Sequence, residues 1–159
     1  MNRVVVVALV AVAQLAFVGA AVAPQLSSRL TGEDYRMEVR PLDPIDPFRG
    51  AYVTLDYPGL QAPGGSQPPS RDDGQRGAVY VPLVERDGTW VAAGWRRTRP
   101  AEAPYLACDD TDRAIHCGIE SYFVPQDRAA ELERRLAERG GVATVRIDDR
   151  GHATVIDVR

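Results

Sequence analysis

Arg49 and Glu120 are the residues best suited to chemistry, with the acids Asp43 and Asp46 and the tyrosines Tyr52, Tyr57 and Tyr122 as companions. A guanidinium fork that holds an anion, with a carboxylate as general base, would make the working parts of a ligand site or a hydrolytic centre. The same residues have a plainer use. Arg49 paired with Glu120 or Asp46 would clamp a turn, and a tyrosine ring can be buried if its hydroxyl finds a partner. Strand alternation favours the plainer use. In a strand from Ala51 to Tyr57, Ala51, Val53, Leu55 and Tyr57 share one face, while Tyr52, Thr54 and Asp56 share the other. The two tyrosines then diverge, which suits a covered strand better than a catalytic pair.

Cys108 and Cys117 are the only cysteines and stand nine positions apart. In an oxidising compartment they would close a short disulfide loop. Unpaired thiols are a second reading and metal binding a third, with Asp109, Asp110, Asp112 and His116 nearby. The spacing matches no recognised zinc pattern, so the disulfide is favoured and no metal is expected.

Other chemistry lacks parts. Ser27, Ser28, Ser66, Ser70 and Ser121 stand in no nucleophile-elbow context, and neither His116 nor His152 sits in a pattern that implies a triad. No Gly-rich phosphate loop is present and no cofactor is expected. All 19 cationic residues are Arg and the net charge is −3, with no basic cluster dense enough to track nucleic acid. Arg96, Arg97 and Arg99 could meet an anionic partner or lipid headgroup, but a solvated turn is favoured.

These residues must be positioned by a chain that begins with an apolar segment. From Val4 to Ala23 there is no charge and one strongly polar residue, Gln14. Some twenty residues span a hydrocarbon core of about 30 Å as a helix. A cleaved signal peptide competes with an uncleaved anchor. Ala21-Val22-Ala23 has the small-x-small form of a cleavage site, yet Pro24 would stand just after the cut and the apolar run is long for a signal core. The anchor is favoured, with residues 1–26 as anchor and 27–159 as an extracytoplasmic domain.

Within that domain, Tyr35 to Arg40 alternates apolar and charged residues, as a half-buried strand does. The prolines at 41, 44 and 47 end it, and a strand from Ala51 to Tyr57 follows. Residues 58–77, rich in Gly, Pro, Gln and Ser, are expected to form a mobile loop. Ala78–Glu85 and Trp90–Gly94 read as a hairpin around Asp87-Gly88, with residues 96–104 as a surface connector. His116 to Phe123 reads as a strand, and Asp127 as the N-cap of a helix over 128–139 that Gly140 ends. Glu131–Arg135 and Arg134–Glu138 are expected charge pairs on that helix. Two strands, 142–147 and 153–158, close the chain around a turn at Asp148–Gly151. The class is α+β: a mostly antiparallel twisted sheet or partly open β-barrel with one packed helix, preceded by an N-terminal transmembrane helix.

The string Gly50-Ala51-Tyr52-x-x-Leu55-x-Tyr57 resembles the signature of the GDYXXLXY proteins, a bacterial family, with Ala51 where the family usually has Asp. The ordered blocks around it strengthen the resemblance. They are the N-terminal span, the Pro-rich lead-in to Arg49-Gly50, Val79-Tyr80-Val81, and Gly118-Ile119-Glu120-Ser121-Tyr122-Phe123-Val124-Pro125. The resemblance implies a membrane-anchored protein that accompanies a polytopic membrane protein, and it implies no reaction. A looser likeness to signal peptidases, from the order of anchor and β-rich domain, fails on the absence of any Lys base. The expected function is therefore an extracytoplasmic accessory or interaction protein on the membrane. A small-ligand or cell-envelope-fragment binding domain is the alternative, and a hydrolase the third choice.

Overall fold

The computed structural model describes residues 2–42, 52–61, 74–111 and 115–159. Its first element, α1 (Arg3–Thr31), is a single helix of 29 residues capped by the side chain of Asn2. Its first 21 residues, Arg3–Ala23, are long and apolar enough to cross a membrane, and none of that surface is buried against the domain. Gly32 ends the helix in extended geometry. A Cβ at Gly32 would lie 2.5 Å from the Ser28 carbonyl oxygen and 2.8 Å from that of Ile147, so only glycine lets the chain leave the helix here.

Two sheets follow. The larger contains β1 (Glu33–Pro41), β2 (Tyr52–Asp56), β6 (Ser121–Phe123), β7 (Gly141–Ile147) and β8 (Ala153–Val158), in the order β6-β2-β1-β7-β8. All its pairings are antiparallel, and its two edge strands β6 and β8 touch, so the sheet curls towards a barrel. The smaller sheet has the order β4-β3-β5, from β3 (Ala78–Arg86), β4 (Thr89–Ala92) and β5 (Tyr105–Asp109). Helix α2 (Gln126–Arg139) packs on β1 and β2.

Alternation decides which side faces in. Tyr35, Met37 and Val39 of β1 are buried, while Arg36, Glu38 and Arg40 are exposed. Their buried face meets Val53 and Leu55 of β2, Ala143 and Val145 of β7, Leu132 and Leu136 of α2, and Val81, Leu83 and Leu106 of the smaller sheet. Trp90 of β4 stands edge-on to Tyr35, with ring centroids 5.0 Å apart, and ties the two sheets together.

Several expectations need correction. β5 follows the expected connector, over residues for which the sequence suggested no element, and its residues Tyr105, Leu106 and Cys108 are buried. The strand expected from His116 is short. Gly118 takes a φ of 80°, so only Asp109↔His116 pairs singly before β6 begins at Ser121. The N-cap of α2 is Pro125 without a side-chain bond, and Asp127 lies in its first turn instead. On α2 Arg134 pairs with Glu131, three residues back, and the Arg135 guanidinium donates to the Val158 carbonyl. At the start of the expected loop, Pro58–Leu60 forms a 3-10 turn that buries Leu60. The rest of that loop from 62 to 73 lies outside the described residues.

Candidate functional site

The alternation expected for β2 holds: Val53, Leu55 and Tyr57 are buried, while Thr54 and Asp56 are partly exposed on the other face. Antiparallel pairing of Tyr52 with Phe123 and of Val53 with Tyr122 lays β6 against this strand. The Leu55 amide donates to the Glu120 carbonyl at 2.8 Å, which extends the ribbon past β6. The structure thus brings Tyr57, Glu120 and Tyr122 into one neighbourhood. Arg49, with Asp43, Asp46, Gly50 and Ala51, lies outside the described residues, and for Tyr52 the backbone pairing alone is described.

In this neighbourhood the polar groups are spent on holding the chain. The Tyr57 hydroxyl donates to the Ile119 carbonyl at 2.9 Å. Burial pushes the Tyr57 phenol far up from its ordinary range, and the nearby Glu120 carboxylate pushes it further, so it stays a neutral donor. Glu120 accepts from the Cys117 amide on one carboxylate oxygen and from the Gly118 amide, at 3.0 Å, on the other. It therefore caps the loop that delivers Cys117 to Cys108. The disulfide is formed, with Cα atoms 4.1 Å apart. Tyr122 packs its half-buried ring against the core. A general base must reach a substrate proton, and the two Glu120 oxygens already serve backbone amides.

Two predictions arise here. Tyr57→Phe keeps the ring and leaves the Ile119 carbonyl without its donor, for a loss of about 1 kcal/mol in denaturant unfolding. Glu120→Ala removes the acceptor of two loop amides and costs about 2 kcal/mol. The same variant also speeds reduction of the Cys108–Cys117 bond by dithiothreitol, read as thiol release, because the loop holding Cys117 loosens.

Three features went unforeseen. Arg97, expected in a solvated turn, forks onto Asp110 at 2.8 and 3.1 Å and onto the Gln75 carbonyl at 2.7 Å. Asp110 is buried and also accepts from the Gly77 amide. Arg99 donates to the Tyr105 hydroxyl and, at 3.1 Å, to the Asp149 carbonyl. Those two arginines clip the segment after β4 to the rest of the domain.

The third feature is a latch between α1 and the β7–β8 hairpin. The buried Asp148 carboxylate accepts from the Ser27 hydroxyl at 2.6 Å, from the Arg150 and His152 amides at 2.9 Å each, and faces His152 Nδ1 at 3.0 Å. The next residue, Ser28, is wholly buried and donates to the Thr154 hydroxyl at 3.1 Å. Arg146 pairs with Asp34 and reaches the Arg29 carbonyl. Serine, aspartate and histidine here do not make a nucleophilic triad. A triad needs the imidazole between serine and carboxylate, whereas Asp148 itself stands between Ser27 and His152. The sequence signal for the turn, though not for its bond to Ser27, was Asp148 opening a turn that ends in Gly151, since an aspartate there bonds the amide two residues on.

No group of three or more His, Cys, Asp or Glu among the described residues is arranged to hold a metal. An open cleft of about 500 Å³ lies at the C-terminal end of α2, lined by Arg40, Pro41 and residues Leu136 to Gly140. It is distinct from the Tyr57–Glu120 neighbourhood.

No curated protein and no solved structure matches this chain. A family model described as GDYXXLXY protein matches residues 14–158, nearly the whole length. The chain belongs to the GDYXXLXY family.

Proposed function

We propose that this protein is a single-pass, membrane-anchored accessory protein whose domain sits on the extracytoplasmic side and works beside a polytopic membrane protein. The observation that carries the reading is the latch. α1 runs unbroken from the apolar segment Arg3–Ala23 to Thr31, and its last turns donate to Asp148 and Thr154, so a retained span would be rigidly continuous with the domain. The Cys108–Cys117 bond supports an oxidising side, where such bonds persist. An accessory role fits a Tyr57–Glu120 neighbourhood whose described groups brace the fold rather than face a substrate.

Affinity purification tests the reading. The full chain, tagged at its C-terminus and extracted from native membranes in mild detergent, is expected to retain one polytopic membrane protein in constant ratio. A chain whose residues 1–26 are exchanged for an unrelated membrane span is expected to lose most of it. Recovery of no membrane protein by the full chain would overturn the proposal.

A further inference from the structure

The latch fixes more than attachment. Ser27 stands four residues beyond Ala23, the last residue of the apolar segment, so it lies about 6 Å further along the helix axis. The headgroup layer of a bilayer is of the same thickness, roughly 5–7 Å on each side. Asp148, bonded to Ser27, is thereby held at headgroup level. Strand β7 runs from Gly141 to Ile147 towards that level and β8 returns from it, so the turn between them is the membrane-facing end of the domain.

Arginines gather at this end. Arg150 is exposed in the turn itself. Arg99, also exposed, is held over the turn by the Asp149 carbonyl and the Tyr105 hydroxyl, with its guanidinium 5.6 Å from the Tyr105 ring centre. Arg29 is exposed on the last turns of α1, where side chains lean back towards the helix N-terminus and hence towards the bilayer. Of the acids nearby, Asp148 is buried among its donors, Asp34 is paired with Arg146, and Glu33 accepts from the Tyr35 hydroxyl at 3.1 Å. Asp149 is the exposed acid within the turn.

We propose that the Asp148–Gly151 turn, with Arg29, Arg99 and Arg150 around it, is a docking surface for the phosphates of an anionic phospholipid bilayer. It rests on the anchor reading above. Basic residues near an anionic leaflet are attracted within a Debye length, and Arg29 on the helix, with Arg99 and Arg150 on the turn latched to it, are held there by folded structure rather than by a flexible tail. The surface would fix the tilt of the domain, and so the face that it offers to a neighbour in the membrane.

The test uses the full chain reconstituted in vesicles, with one fluorophore on Asp149→Cys or on Glu138→Cys, and a nitroxide on the lipid headgroup as quencher. Glu138 is exposed near the far end of β7, roughly 20 Å from the turn along the strand. In phosphatidylcholine vesicles the label at 149 is expected to be quenched several-fold more than the label at 138. In phosphatidylglycerol vesicles its quenching should rise further, and that rise should vanish when Arg29→Gln and Arg150→Gln are added to the same labelled chain. Equal quenching at both positions, in chain that resists alkaline extraction, would overturn the docking surface and leave the anchor reading intact. Release by alkaline extraction would overturn both. Strong quenching at 149 that ignores lipid charge and both arginines would overturn the phosphate contact.

Discussion

Asp148→Ala is expected to lower the unfolding free energy of the domain by about 3 kcal/mol. The carboxylate has no exposed surface and collects four donors from two elements that are far apart in sequence. Truncation leaves the Ser27 hydroxyl and two amides of the turn without their acceptor. Asp148→Asn serves as its control. An amide keeps an oxygen for the Arg150 and His152 amides and offers an NH₂ to Ser27 and to a neutral His152 ring, so its cost is expected near 1 kcal/mol. Both values can be read from chemical denaturation in detergent, followed by the fluorescence of Trp90 and Trp95, which pack against the core.

The charge at Asp148 adds a pH dependence. Burial pushes this carboxyl up, but the bonds from Ser27, His152 and Arg150 outweigh it and hold the group below the usual carboxylate range. A depressed folded-state value contributes stability that is complete above the unfolded value of about 3.9 and is lost as pH falls through the folded value. The wild-type chain should therefore lose stability in that acid window, and Asp148→Asn should lack that component. A wild-type and an Asn variant that fall in parallel from about pH 5 to about pH 2 would remove Asp148 from the acid response.

Reduction of Cys108–Cys117 is the second large effect. The two residues are nine apart in sequence. Closing a loop of that length removes unfolded-state entropy worth about 2.6 kcal/mol, so the Cys108→Ser/Cys117→Ser double variant should unfold more easily by roughly that amount. Beyond that global loss, the β2–β6 ribbon should open locally. The loop that carries Cys117 also carries Glu120 and supplies the Ile119 carbonyl to Tyr57. Hydrogen exchange should therefore quicken at Leu55, whose amide bonds Glu120, more than at Val145 in the middle of the larger sheet. Equal quickening at both amides would mean that the bond stabilises the domain as a whole.

Elements with a clean period were legible in the sequence. The alternation of Tyr35, Met37 and Val39, the Asp87-Gly88 turn with both residues at positive φ, and the stop at Gly140 all follow from local chemistry. The strand Tyr105–Asp109 was not, because its burial pattern keeps Tyr105, Leu106 and Cys108 inside and does not alternate cleanly. Long-range polar bonds were the least legible. Nothing local to Arg97 announces Asp110, and nothing local to Ser27 announces Asp148, 121 residues away. Of the expected site residues, Tyr57, Glu120 and Tyr122 were brought together by the pairing of β2 with β6, which alternation, a guide to faces and not to partners, did not foresee. Their use as loop braces depended on which backbone groups came to rest beside them.

Protease treatment of intact spheroplasts, followed by mass analysis of the membrane-bound remnant, tests the anchored, outward-facing domain most directly. The account predicts that external protease removes the domain and leaves in the membrane a fragment that begins at the chain's own N-terminus and ends near Arg29. A chain that is fully protected until the cells are lysed would contradict it, as would a soluble domain that begins at Ala21 or Pro24.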